Sequence, residues 1–107
     1  LDRKLTFGLD FDDTVTKNTV MFVDIVNAII KNGGDVYIVT ARQQNGWCED
    51  LRRFSEQMDL HVIFTGTKAK HDVAEIDIWI DDFPLAMTHD FKETRWKPSE
   101  STLKEFL

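Results

Sequence analysis

One cysteine, Cys48, is the only thiol in the 107 residues, so no intramolecular disulfide can form, and a cysteine-based zinc centre would need most of its ligands from other residue types. Basic residues are also scarce. Thirteen Lys and Arg face nineteen Asp and Glu, a formal charge of −6, which opposes the sequence-independent attraction to phosphate backbones and leaves nucleic acid conceivable only as a substrate. No apolar run reaches the roughly 20 residues of a membrane-spanning helix. The opening Leu1-Asp2-Arg3-Lys4 lacks the basic-then-apolar order of a secretory signal. A cytoplasmic location and no membrane partner are expected. With 42% apolar and 30% charged residues, the chain has the balance of an ordinary globular protein. Its length suits one core, and no repeat, low-complexity tract or linker divides it, so residues 1–107 are read as a single domain.

What is present is an alternation of short apolar runs with helical patterns. Leu5-Thr6-Phe7-Gly8-Leu9 reads as a buried strand that stops at Asp10. From Thr19 to Lys31, Val20, Met21, Val23, Val26, Ile29 and Ile30 recur at helical spacing, with Asn18 or Thr19 as N-cap and Gly33-Gly34 as the stop. Val36-Tyr37-Ile38-Val39 forms a second strand, ending at Thr40-Ala41-Arg42. A helix from about Gly46 to Met58 carries Glu49 and Asp50 in its first turn, where negative charge suits the dipole. A third strand, His61 to Phe64, a short helix around Ala69 to Glu75, and a fourth strand, Ile76 to Ile80, follow. Past Pro84 the pattern weakens: His89-Asp90-Phe91 is read as a possible edge strand, and Ser101 to Leu107 as a terminal helix. The alternation predicts an α/β fold, a three-layer Rossmann-like sandwich with a mostly parallel sheet of four or five strands.

In such a sheet, ligands bind outside the carboxyl ends of the strands. Asp10-Phe11-Asp12-Asp13-Thr14 and Asp81-Asp82 each follow a buried strand, where clustered carboxylates repel unless a cation joins them. Oxygen-only ligands select a hard ion, and Mg²⁺, held by one or two carboxylates and a substrate phosphate, fits this set. Asp residues at strand ends more commonly cap helices or solubilise loops; two such clusters on neighbouring strand ends weaken that ordinary explanation.

These residues, in this order, resemble the signature of the haloacid dehalogenase-like phosphohydrolases. The matching elements are Leu9-Asp10-Phe11-Asp12-Asp13-Thr14, Val36-Tyr37-Ile38-Val39-Thr40, Lys70, and Ile78-Trp79-Ile80-Asp81-Asp82, over roughly residues 5 to 85. The Ile-Asp-Asp ending and the Thr-Ala-Arg triplet look most like the branch that includes the 5′(3′)-deoxyribonucleotidases and small phage or bacterial relatives. The resemblance implies that Asp10 attacks phosphorus to give an aspartyl-phosphate. Asp12 is then the general acid and later the base, with a pKa nearer neutrality than that of Asp10. Thr40, the Ala41 backbone N–H and Lys70 would grip the phosphoryl oxygens, with Lys68 as the alternative to Lys70. Phe11, Ala41 and Arg42 fall at substrate-contacting positions, although Arg42 reads equally as an exposed salt-bridge partner. Mg²⁺ would be held by the Asp10 carboxylate, the Asp12 backbone carbonyl and Asp82, with Asp81 holding a metal-bound water.

Two features depart from the pattern. Asp13 stands where many relatives have Gly, and Phe83-Pro84-Leu85-Ala86 is apolar where relatives often place another acid. The intervals after the first and second motifs leave no room for a cap, so the site is expected to be open. Trp79 reads as core packing, His61, His71 and His89 share no ligand spacing, and Cys48, placed within a helix beside acids, is a poor nucleophile. The expected activity is hydrolysis of small phosphomonoesters, nucleotide phosphates ahead of sugar phosphates, with the oligomeric state open. The alternatives are a phosphatase acting on nucleic-acid ends or phosphoproteins, and a non-catalytic phosphate- or metal-binding module.

Overall fold

The computed structural model describes residues 4–43 and 48–93. Four parallel strands, β1 (Thr6–Leu9), β2 (Asp35–Thr40), β3 (His61–Phe64) and β4 (Ile78–Ile80), form one sheet in the order β3-β2-β1-β4. Between and after them lie α1 (Thr19–Lys31), α2 (Glu49–Met58), α3 (Lys70–Val73) and α4 (Leu85–Thr88), with a 3₁₀ turn at Val15–Lys17. This is an α/β fold compatible with a Rossmann-like architecture.

The long helices follow from local chemistry. The Asn18 side chain accepts the Met21 N–H at 3.1 Å and so caps α1. One face of α1 buries Phe22 and Val26. Gly33, at φ 87°, turns the chain out of the helix, and the Gly34 N–H donates to the Ile29 carbonyl. In α2, Leu51, Phe54 and Ser55 are buried while Glu49 and Asp50 occupy the first turn. Cys48 is its N-cap residue, not an interior one as expected.

The core is continuous through Leu9, Phe11, Val15, Phe22, Val26, Val36, Ile38, Leu51 and Phe54. It lies toward the β1 and β2 strands that carry the first two motifs. Gly8 has a packing role: a Cβ there would meet the Trp79 ring at 2.8 Å, so its hydrogen lets the indole lie across β1. Trp79 is half-buried beside an exposed Ile78, so β4 is less buried than its apolar run implies, and the indole packs over Gly8 rather than in the core.

Some expectations are corrected. The first strand begins at Thr6 rather than Leu5, the third helix is confined to Lys70–Val73, and the fourth strand starts at Ile78. Asp77 still continues the ladder by donating its N–H to the Thr6 carbonyl. His89-Asp90-Phe91 forms no strand; the Phe91 N–H donates to the Thr67 carbonyl instead, and the Phe91 ring stacks on Phe83. The start of the second helix at Gly46 and the terminal helix from Ser101 lie outside the described residues.

Candidate active site

β1 pairs with β2 on one side and β4 on the other, with Leu9 opposite both Ile38 and Ile80. This register brings the carboxyl ends of the three strands level. The Asp10 N–H donates to the Ile80 carbonyl at 3.0 Å, which carries the pairing one residue beyond the strands. The chain runs from β1 outward through β2 to β3 and then returns to the other flank of β1 as β4. The carboxyl ends of β1 and β4 therefore flank the topological switch point, where an open parallel sheet has its natural crevice.

Three acids meet there. Asp10, Asp81 and Asp82 each offer a carboxylate oxygen within 4.8 Å of the others. Lys70, 1% exposed, enters from α3: its Nζ donates to Asp10 Oδ1 at 2.9 Å and also contacts Asp81 Oδ2. The Thr14 hydroxyl donates to Asp10 Oδ2 at 2.8 Å and lies 3.4 Å from Asp82 Oδ1. Asp81 also accepts the Phe83 N–H. Asp82 is the most exposed of the three acids. Lys68, the alternative lysine, is exposed and pairs with Asp90 at 3.6 Å.

Three carboxylates against one ammonium leave two uncompensated negative charges when all are ionised. Protein groups alone push the Asp10 carboxyl up to about 7: burial raises it, the Lys70 charge pulls it back, and the Asp82 and Asp81 carboxylates raise it again. A divalent cation would supply the missing charge, and the all-oxygen donor set would suit a hard ion without choosing among them. It is the Asp10 carboxyl that the surrounding protein moves toward neutrality.

Asp12 points elsewhere. Its Oδ2 accepts from Arg42 Nε at 2.9 Å and its Oδ1 from Arg42 Nη2 at 2.8 Å, a bidentate pair. The Asp12 side chain is therefore not in the acidic trio, and only its backbone carbonyl is left for the ligand role expected of it. Arg42 is 1% exposed, which overturns the expectation of an exposed salt-bridge partner. Burial opposes its charge, but the hydrogen bonds and charge of Asp12, with Asp50 behind, more than offset this and raise its pKa. The Phe11 side chain is buried in the core against Phe54, so its backbone is what remains for a substrate. Thr40 is buried at the end of β2, and its Oγ1 accepts the Arg42 N–H at 3.2 Å. Ala41, next in the chain, is half-buried.

Sequence reasoning did not assign functional roles to Thr14, Asp50 or Cys48. Thr14 stands within the first motif, and a hydroxyl four residues after Asp10 was the available signal. Asp50 and Cys48 contact Arg42 from the start of α2, a relationship that no spacing in the sequence reveals.

Fold and site together define a parallel α/β protein with a lysine-bridged acidic cluster at the carboxyl edge of its sheet. In comparisons with known proteins, the chain matches no family model, no curated protein and no solved structure.

Proposed function

We propose that the chain is a Mg²⁺-dependent phosphohydrolase of the haloacid dehalogenase-like type, hydrolysing small phosphomonoesters such as nucleotide or sugar phosphates through phosphorylated Asp10. We also read the fold as a capless three-layer sandwich, because the interval from β1 to α1 holds a turn and one 3₁₀ segment. The observation that carries the proposal is the meeting of Asp10, Lys70, Asp81 and Asp82, from three separated segments, at the switch point of a parallel sheet.

The chemistry follows from these groups. Asp10 attacks phosphorus while the ester P–O bond breaks, and the departing oxygen takes a proton from Asp12. Water then attacks the phosphorus, its proton passes to Asp12, and the Asp10 carboxylate is regenerated with release of phosphate. An ammonium has three donors, so Lys70 can hold Asp10 and Asp81 and still donate to a phosphoryl oxygen. The Thr40 hydroxyl, which accepts from Arg42, keeps its own proton for another. Asp10, Asp82 and the Asp12 carbonyl would hold Mg²⁺, whose charge keeps Asp10 ionised and screens the phosphate.

The test is hydrolysis of p-nitrophenyl phosphate with Mg²⁺. Turnover that stops with chelator, and that falls at least about a hundredfold in Asp10→Asn, is expected. Full activity in that variant would remove Asp10 from its role, and absence of turnover in the native protein would leave a binding module.

A further inference from the structure

Arg42 has more partners than its place in the proposed reaction explains. It stands two residues past β2, its side chain is 2% exposed, and it grips both oxygens of Asp12. Behind that fork, Nη2 lies 3.3 Å from Asp50 Oδ2, Nη1 lies 3.1 Å from Cys48 Sγ, and the guanidinium sits 5.3 Å from the Phe11 ring centroid. The first turn of α2, the loop after β2 and the loop after β1 are thereby tied to one group. A planar guanidinium held on this many sides fixes the rotamer of the carboxylate it forks.

We propose that Arg42 is a positioning residue that holds the Asp12 carboxylate as the base for hydrolysis of phosphorylated Asp10; the inference rests on the phosphohydrolase reading above. Once Asp12 has given its proton to the departing oxygen, its carboxylate paired with Arg42 is an acceptor-only group. A carboxylate has about four lone-pair sites, so a bidentate guanidinium leaves others to take a proton. The Asp12 side chain is 30% exposed, enough for water to reach it. In the step concerned, water oxygen bonds to phosphorus and the bond from phosphorus to Asp10 breaks. Its electron pair returns to Asp10, and one water proton passes to Asp12. Fixing the base in place saves the orientational cost of that step. Asp50, half-exposed and 3.3 Å from Arg42 Nη2, anchors the fork from behind.

The experiment compares the native protein with Arg42→Lys and Asp50→Asn on p-nitrophenyl phosphate with Mg²⁺. Its leaving group needs little help from an acid, so the first step is insulated from the change. Steady-state constants, the acid-quenched fraction of phosphorylated enzyme and thermal denaturation are all measured. A lysine cannot span both oxygens. Arg42→Lys is expected to lose at least about tenfold in kcat while kcat/KM stays within about threefold, with phosphorylated enzyme accumulating. Asp50→Asn moves in the same direction by about threefold, and it decides the matter alone if Arg42→Lys does not fold. Equal losses in kcat and kcat/KM without accumulation of phosphorylated enzyme, or unchanged kcat, overturn the role of Arg42 and leave the phosphohydrolase reading standing. A native protein without turnover overturns both.

Discussion

Burial deprives the Asp10 carboxyl of the water that would solvate its charge, and Asp81 and Asp82 add repulsion, while Lys70 returns part of the loss. The folded chain therefore holds the Asp10 proton up to about pH 7, whereas the unfolded chain releases it near 3.8. A carboxyl raised on folding favours the native state while it is protonated. That contribution is whole below the unfolded pKa and is lost as pH rises through the folded one; its ceiling is on the order of 4 kcal/mol. With chelator present, the thermal midpoint is expected to fall between about pH 4 and about pH 7 and then level off. In Asp10→Asn, which has no charge to bury, the fall flattens and the midpoint at the upper pH rises above native, as circular dichroism melts can check. A native profile that is flat across this window would contradict the burial argument. At the same scale, Asp13 was marked in the sequence as a departure from a Gly in the resembled motif, and its φ of 63° lies in the left-handed region that Gly occupies without cost and Asp tolerates. Arg42 was not legible, because its partner Asp12 lies 30 residues away and nothing local marks the pair as buried.

Elements whose identity rests on their own residues were readable, and elements that rest on distant neighbours were not. α1 runs from Thr19 to Lys31 as its apolar spacing, Asn18 cap and glycine stop predict. β2 gains one residue at each end because parallel pairing with β1 and β3 continues past the apolar run. α4 has no side-chain cap hydrogen bond and only four residues. It is held by packing on α3 and by a contact between His71 Nδ1 and the Met87 carbonyl, partners that sequence periodicity does not contain. The hydrogen bond from the Ala69 N–H to Asp90 Oδ1 similarly steadies the start of α3, and so Lys70, from a segment that read as a strand. The β1–β4 contact beneath the site admits a direct test. Gly8→Ala places a methyl carbon 2.8 Å from two Trp79 ring atoms and 3.0 Å from Ile76 Cγ2. Contacts this short force the half-buried indole and Ile76 to shift, so a loss of about 1–3 kcal/mol is expected in urea unfolding. Adding Trp79→Leu should restore part of it, giving a coupling of opposite sign in a double-mutant cycle. Additive losses would show that the indole does not rest on Gly8.

Over the whole molecule, a chain with formal charge −6 gathers three of its acids at one edge of the sheet and, among the described residues, sets one buried lysine against them. Repulsion of this kind is tolerable in a fold that gains binding energy when a cation arrives, because whatever binds only the native state stabilises it by mass action. Mg²⁺ at about a hundred times its Kd should therefore raise stability by about 2.7 kcal/mol. The ion competes with the proton on Asp10, so affinity should climb with pH until that carboxyl is ionised and then level off. Calorimetric titration in buffers of different ionisation heat should find close to one proton released per ion at about pH 6 and nearly none at about pH 8.5. Asp82→Asn removes the most exposed of the three carboxylates without disturbing Lys70 and should weaken binding at both pH values. Its proton release at about pH 6 should persist but shrink, since the proton comes from Asp10 and Asp82 helps to raise the Asp10 pKa. Release that persists unchanged at the higher pH, or affinity indifferent to Asp82, would place the cation away from this crevice and separate the charge cluster from metal binding.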